Sequence, residues 1–114
     1  MLPSSMLEVR YYEAADGSSP FAEWFAELDA VARAKVTTAL ARIEQGNLSN
    51  VKPVGEGVLE YRIDFGPGYR VYFGRDGNVV VVLLTGGTKK RQQRDIKSAV
   101  AFWRDYRVSK RKTR

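Results

Sequence analysis

The chain contains no histidine and no cysteine. Without cysteine there are no disulfides, thiolate nucleophiles or thiolate metal sites, which suits a reducing compartment. Without histidine the chain loses the commonest acid–base group near neutral pH and the commonest metal ligand. Catalytic triads, histidine zinc sites and histidine-pair nuclease chemistry are thereby excluded. Long apolar runs are also missing: no stretch approaches the ~18 apolar residues of a membrane span. The opening Met1-Leu2-Pro3-Ser4-Ser5 has no basic flank ahead of an apolar stretch. The expectation is a cytoplasmic protein with no cofactor, no metal and no membrane contact, whose chemistry rests on arginine and lysine.

What is present fits one domain, since 114 residues with 44% apolar content supply a single core. Charge is distributed unevenly. Residues 1–88 hold 8 Lys+Arg against 11 Asp+Glu, whereas residues 89–114 hold 11 against 2. A polyanion near the C-terminal part would explain that asymmetry, and so would a solvated charged tail.

Periodicity supplies the elements. Leu7, Val9 and Tyr11 alternate with polar neighbours over Met6 to Tyr12, which predicts a strand. Ser19-Pro20 reads as a helix start, with Phe21, Trp24, Phe25 and Leu28 on one stripe. A second helix follows over Ala30 to Gln45, with Ala32, Val36, Leu40 and Ile43 inward and Gly46 as its stop. Beyond Asn47 the period becomes two, predicting strands at Val51 to Val54, Val58 to Phe65, Tyr69 to Phe73 and Val79 to Leu84. Pro53 places the first of these near an edge. Thr85-Gly86-Gly87-Thr88 reads as a loop, Ile96, Ala99, Val100 and Trp103 predict a last helix to about Arg107, and Val108 to Arg114 reads as a disordered basic tail. The fold class is α+β, in the order β-α-α-β-β-β-β-α: an antiparallel sheet with an N-terminal two-helix hairpin and a C-terminal helix, over residues 1–107.

Hairpin register locates a candidate site. Pairing Tyr61 with Val71 and Leu59 with Phe73 across Gly66-Pro67-Gly68 puts these apolar side chains on one face. Arg62 then opposes Arg70. Two like charges face to face call for an anion, which is either a phosphate or the carboxylates of Glu60 and Asp64 on the same face. Lys52 on the preceding strand and Lys89 to Arg91 after the central strand are placed to converge there. Tyr72 shares the arginine face, where an aromatic ring can stack an unpaired base.

These residues carry a resemblance. Ala41-Arg42-Ile43, Gly46-Asn47, the run Val51-Lys52-Pro53-Val54-Gly55-Glu56-Gly57-Val58, Tyr61-Arg62-Ile63 and Phe65-Gly66-Pro67-Gly68-Tyr69-Arg70-Val71-Tyr72-Phe73 resemble the RelE/ParE superfamily of type II toxin–antitoxin toxins. So do Leu83-Leu84-Thr85-Gly86-Gly87-Thr88-Lys89, Gln92, Asp95-Ile96 and Ala99. The likeness is to the HigB-like, phage-derived addiction module killer branch. It implies a RelE-like fold and a metal-independent, ribosome-dependent messenger RNA endoribonuclease that inhibits translation. The implied chemistry is attack of a ribose 2′-oxygen on the adjacent phosphorus. Lys52 would then be the base, Arg62 and Arg70 would hold phosphate, and Lys89 or Arg91 would lie near the leaving oxygen, with Tyr72, Lys90, Arg91 and Arg94 as RNA contacts. The implied partners are a helix-turn-helix antitoxin, messenger RNA on the ribosome, and operator DNA through the antitoxin complex. Two alternatives stay open: a ParE-like DNA gyrase poison and a non-catalytic antitoxin-binding relative.

Overall fold

The helical hairpin is set by two caps. In the structure, a computed structural model that describes residues 6–112, the Ser19 hydroxyl accepts from the Ala22 N–H at 3.1 Å and starts α1, Pro20–Ala26. Asp29 does the same for α2, Ala30–Glu44, accepting from Ala32 at 2.8 Å. Gly46 takes the left-handed φ of +80° that ends the helix. Phe21, Val36, Ala39 and Ile43 form the inward stripe.

The sheet is built from β1 (Glu8–Tyr11), β2 (Val51–Gly55), β3 (Val58–Ile63), β4 (Tyr69–Asp76) and β5 (Val80–Thr88). Their spatial order is β1-β5-β4-β3-β2. The expected register holds: Leu59 faces Phe73, Tyr61 faces Val71 and Arg62 faces Arg70. The sheet departs from the expectation in one respect, because it is mixed. β1 lies parallel to β5, from Glu8 opposite Val80 to Tyr11 opposite Leu83. After the helical hairpin the chain enters the sheet at the far edge, and three antiparallel steps bring β5 back beside β1 in the same direction.

Both faces of the sheet are covered. Tyr61, Ile63, Val71, Phe73, Val81 and Leu83 pack under α1 and α2, while Val58, Tyr72, Val82 and Leu84 pack under a helix, α3, spanning Gln92–Lys112. A tryptophan lies flat on a glycine on each side. A Cβ built on Gly74 would meet Trp103 at 2.5 Å, and one on Gly86 would meet Trp24 at 2.3 Å. This corrects the loop expected at Thr85-Gly86-Gly87-Thr88, all of which belongs to β5. The paired glycines admit Trp24 and the Asp95 carboxylate instead of turning the chain. Gly74→Ala is expected to lower stability by about 1–3 kcal/mol through overpacking against a rigid ring. Urea denaturation checks this, and an unchanged midpoint would show that Trp103 moves aside freely.

The last helix also outruns its expected end. α3 follows a 3-10 turn at Lys89–Arg91 and continues past Arg107 through Lys112, so residues 108–112 are helical, not a disordered tail. Residues 113–114 of that expected tail lie outside the described residues. Cations near a helix C-terminus favour its dipole, and this end is also anchored. Tyr106 donates to Asp76 at 2.6 Å, and Lys110 donates to both oxygens of the same carboxylate at 2.5 and 2.6 Å. The Lys110 and Tyr106 hydrogen bonds hold Asp76 below the usual carboxylate range. A depressed carboxylate stabilises the fold above its unfolded value, and that contribution fades as pH falls through the folded value. Asp76→Asn is therefore expected to lower the urea midpoint near neutral pH, with the gap to wild type closing below about pH 4. A gap that stays constant into acid would rule out the ionic origin.

Candidate functional site

The Gly66-Pro67-Gly68 turn builds one side of the site. Gly68 has a φ of +77°, and a Cβ there would meet Arg70 Nη1 at 2.8 Å and Lys89 Cβ at 3.3 Å. Its carbonyl accepts from Arg70 Nη1 at 2.7 Å and from the Lys89 N–H at 2.9 Å. The bare glycine thus draws the start of β4 and the start of the 3-10 turn together.

Glu60 organises the other side. Its side chain is 0% exposed, on β3 opposite Lys52 of β2 and Tyr72 of β4. Lys52 Nζ stands 3.9 Å from one carboxylate oxygen, and Arg70 Nε stands 4.0 Å from the other. The second oxygen also accepts from Gln92 Nε2 at 2.8 Å. Four elements therefore meet at one carboxylate. Of the two anions that register allowed for the arginine pair, the internal one is in place for Arg70, which is only 5% exposed.

Arg62 differs from its partner. It is exposed and shares an open hollow of about 320 Å³ with Ser49, Asn50, Lys52 and Asp64. A second hollow of about 290 Å³ on its other flank adds Lys35 and Arg42. The Lys52 side chain is 54% exposed, and Lys89 is exposed as well. The exposed cations around the arginine hairpin are Lys52 and Arg62 in the first hollow and Lys35 and Arg42 in the second, with Lys89 exposed beside Gly68 and Arg70 nearly buried.

The remaining expected residues fall elsewhere. Lys90 is exposed on the 3-10 turn. Arg91 and Arg94 line a separate hollow of about 360 Å³ against Glu23 and Trp24 of α1 and its C-cap Glu27, not the hollow of Lys52 and Arg62. Asp95 faces that second hollow, and burial raises its carboxyl despite Arg91 and Arg94. Tyr72 requires a correction: it is 0% exposed, packed with Val82, Leu84 and Ala99 beneath α3, so its ring cannot stack a base. Burial, then the facing Glu60 carboxylate, push its phenol upward. Sequence reasoning named Glu60 only as a neutraliser and missed Gln92 as its partner. The signal was there in part, since Glu60 sits two residues from Arg62 on the same face. Among the described residues no cluster of carboxylates could hold a metal ion, and no helix is long and apolar enough to cross a membrane.

A mixed sheet under two helical layers, with exposed cations where α3 begins, defines a small basic α+β protein. The family described as "Phage derived protein Gp49-like (DUF891)" matches residues 23–101, and the chain belongs to that family. This family is associated with addiction-module killer toxins, which implies an antitoxin partner. The chain is also similar to an uncharacterised protein of Haemophilus influenzae (strain ATCC 51907 / DSM 11121 / KW20 / Rd), at 42% identity over 80 residues, covering 69% of this chain and 81% of that one. The span matched by the family, residues 23–101, includes Lys52, Glu60, Arg62, Arg70 and Lys89.

Removing Glu60 would leave Arg70 buried without its counterion. Glu60→Ala is expected to cost about 3–5 kcal/mol, and Glu60→Ala combined with Arg70→Met to cost clearly less than the sum of the two single changes. Urea denaturation of the four proteins measures the coupling, and additive losses would contradict the pairing.

Proposed function

We propose that this protein is the toxin of a type II toxin–antitoxin system, a HigB-like member of the RelE/ParE superfamily that works in the cytoplasm by cutting messenger RNA on the ribosome. The observation that carries the reading is the pair of exposed cations Lys52 and Arg62 sharing one open hollow, with Lys89 exposed beside the Gly68 turn. Membership of a family tied to addiction-module killers supports the biological setting.

The reaction needs positive charge where the phosphorane develops, a group to take the 2′-proton and one to assist the leaving 5′-oxygen. Arg62 is the phosphate clamp, because its planar fork is free and matches phosphate oxygens. Lys52, beside it in the same hollow, is the group nearest to take the 2′-proton. Lys89 lies across the turn on the leaving-group side. Arg70 has a different part from the one first assigned to it: it is committed to Gly68 and Glu60 and positions Lys89. The partners are messenger RNA on the ribosome and a helix-turn-helix antitoxin, with operator DNA met through the antitoxin complex.

Induced expression without antitoxin, followed by transcript 5′-end mapping, tests the reading. Wild type is expected to arrest growth with cuts in translated messages, and Arg62→Ala to lower cutting by about 10²-fold, as for loss of one preorganised charge donor. Arrest with intact transcripts and broken DNA would assign gyrase as the target instead. Normal growth would leave antitoxin binding as the function.

A further inference from the structure

The helix α3 has two unlike faces. Ile96, Ala99, Val100, Trp103 and Tyr106 turn toward the sheet. On the outer side Arg94, Lys97, Arg104, Arg107 and Arg111 follow one another at steps of three, four or seven residues, and all are exposed. Arg104 pairs with Glu56, whereas Arg94, Lys97, Arg107 and Arg111 form no ion pair among the described residues. At about 1.5 Å per residue this row runs for roughly 26 Å.

The row ends in a hollow of about 220 Å³, lined by Arg75, Arg107, Lys110 and Arg111 around the mutually stacked rings of Trp103 and Tyr106, with Asp76 as its carboxylate. That carboxylate is already occupied by Tyr106 and Lys110. Arg75 reaches the Asn78 carbonyl through Nη2 at 3.1 Å, and its buried Nε has no hydrogen-bond partner among the described residues. Three arginines therefore share a hollow with no free carboxylate. Their mutual repulsion disfavours the folded state, and an external anion would relieve it.

A long row of one sign suits a polymer with regularly repeated charge better than a lone phosphate. At about 3.4 Å per nucleotide along one strand, 26 Å corresponds to roughly eight nucleotides. The row offers no ring free to stack a base: Ala101, Asp105 and Val108 lie among its cations, Phe102 is stacked on Tyr12, and Trp103 and Tyr106 are stacked on each other and packed toward the sheet. Single-stranded RNA is usually held by stacking on exposed rings, whereas a duplex presents phosphates and hides its bases. We infer that the outer face of α3 and the hollow at its far end bind the phosphate backbone of double-stranded RNA, apart from the Lys52, Arg62 and Lys89 cluster that receives the cut strand. The choice of RNA over DNA rests on the function proposed above.

Fluorescence anisotropy of a labelled 20-base-pair RNA duplex, titrated with the full chain at about 50–200 mM salt, tests the inference. Arg107→Glu with Arg111→Glu is expected to weaken binding at least tenfold and to flatten the salt slope by about two phosphate contacts. A control with Arg33→Glu, Ala34→Glu and Ala41→Glu changes net charge equally on exposed positions of α2, and is expected to stay within about twofold of wild type. Equal losses in the two variants would overturn the site, since net charge alone would then explain binding. So would a DNA duplex of the same sequence, or single-stranded RNA, binding as tightly as the RNA duplex. Transcript cutting is read separately. Wild type that cuts no RNA but binds the duplex through Arg107 and Arg111 sinks the proposed function and leaves this site standing, and the reverse result does the opposite.

Discussion

A carboxylate with no access to water has to be compensated, and in this protein the compensation of Glu60 fixes the relation between sheet and helix. Burial costs an isolated carboxylate several kcal/mol unless cations and hydrogen-bond donors surround it. Here they come from β2 as Lys52, from β4 as Arg70 and from the first residue of α3 as Gln92. A slip of β2 or β4 by one residue would turn its cation to the other face and leave Glu60 unmatched. Register, helix start and cation placement are thus one constraint. Arg62, two residues further along β3 on the same face, lies beyond the cover of α3 and stays in solvent. The change from a buried cation to an exposed one takes place over the width of a single strand pair.

Flatness is the second requirement. Trp103 and Trp24 approach opposite faces of the sheet so closely that neither Gly74 nor Gly86 has room for a Cβ. Large rings lying on bare backbone bury much apolar area with few side chains, which helps a chain of 114 residues support three layers. The same device serves the turn from β5 into α3, where Gly87 admits the Asp95 carboxylate and Gly68 admits Arg70 beside Lys89.

Much of this could be read from residue order. Alternation fixed the β3–β4 register down to Arg62 facing Arg70, because only one pairing puts Leu59, Tyr61, Val71 and Phe73 together. The Ser19-Pro20 start and the Gly46 stop bounded the helical hairpin, while the Asp29 cap of the second helix was not read from the sequence. What failed depended on partners distant in sequence. Glycines at 86 and 87 signal a turn locally, and only Trp24 and Asp95 reveal them as strand. Basic residues from Val108 onward suggest disorder, and only Asp76, more than 30 residues earlier, shows what anchors them. Tyr72 alternates onto the arginine face as expected, yet alternation says nothing of a helix lying above that face. The parallel pairing of β1 depends on where the chain re-enters the sheet, which no local pattern encodes.

A site without histidine or cysteine has to divide its labour differently from one that has them. Imidazole can exchange a proton near neutral pH and also carry charge, so one residue can do both. Guanidinium cannot release a proton, and lysine does so only when its charge is disfavoured. Charge stabilisation is therefore the effect this chain can supply most strongly, at about 2.7–4 kcal/mol for each well-placed donor. Its geometry is arranged to that end. Arg70 is nearly buried and donates to the Gly68 carbonyl that also accepts from the Lys89 N–H, Glu60 keeps its charge inside the fold, and Lys52, Arg62 and Lys89 are exposed. Under the function proposed above, preorganised cations of this kind would act on the transition state without reorganising, so that arginine and lysine alone could supply an RNA-cutting site.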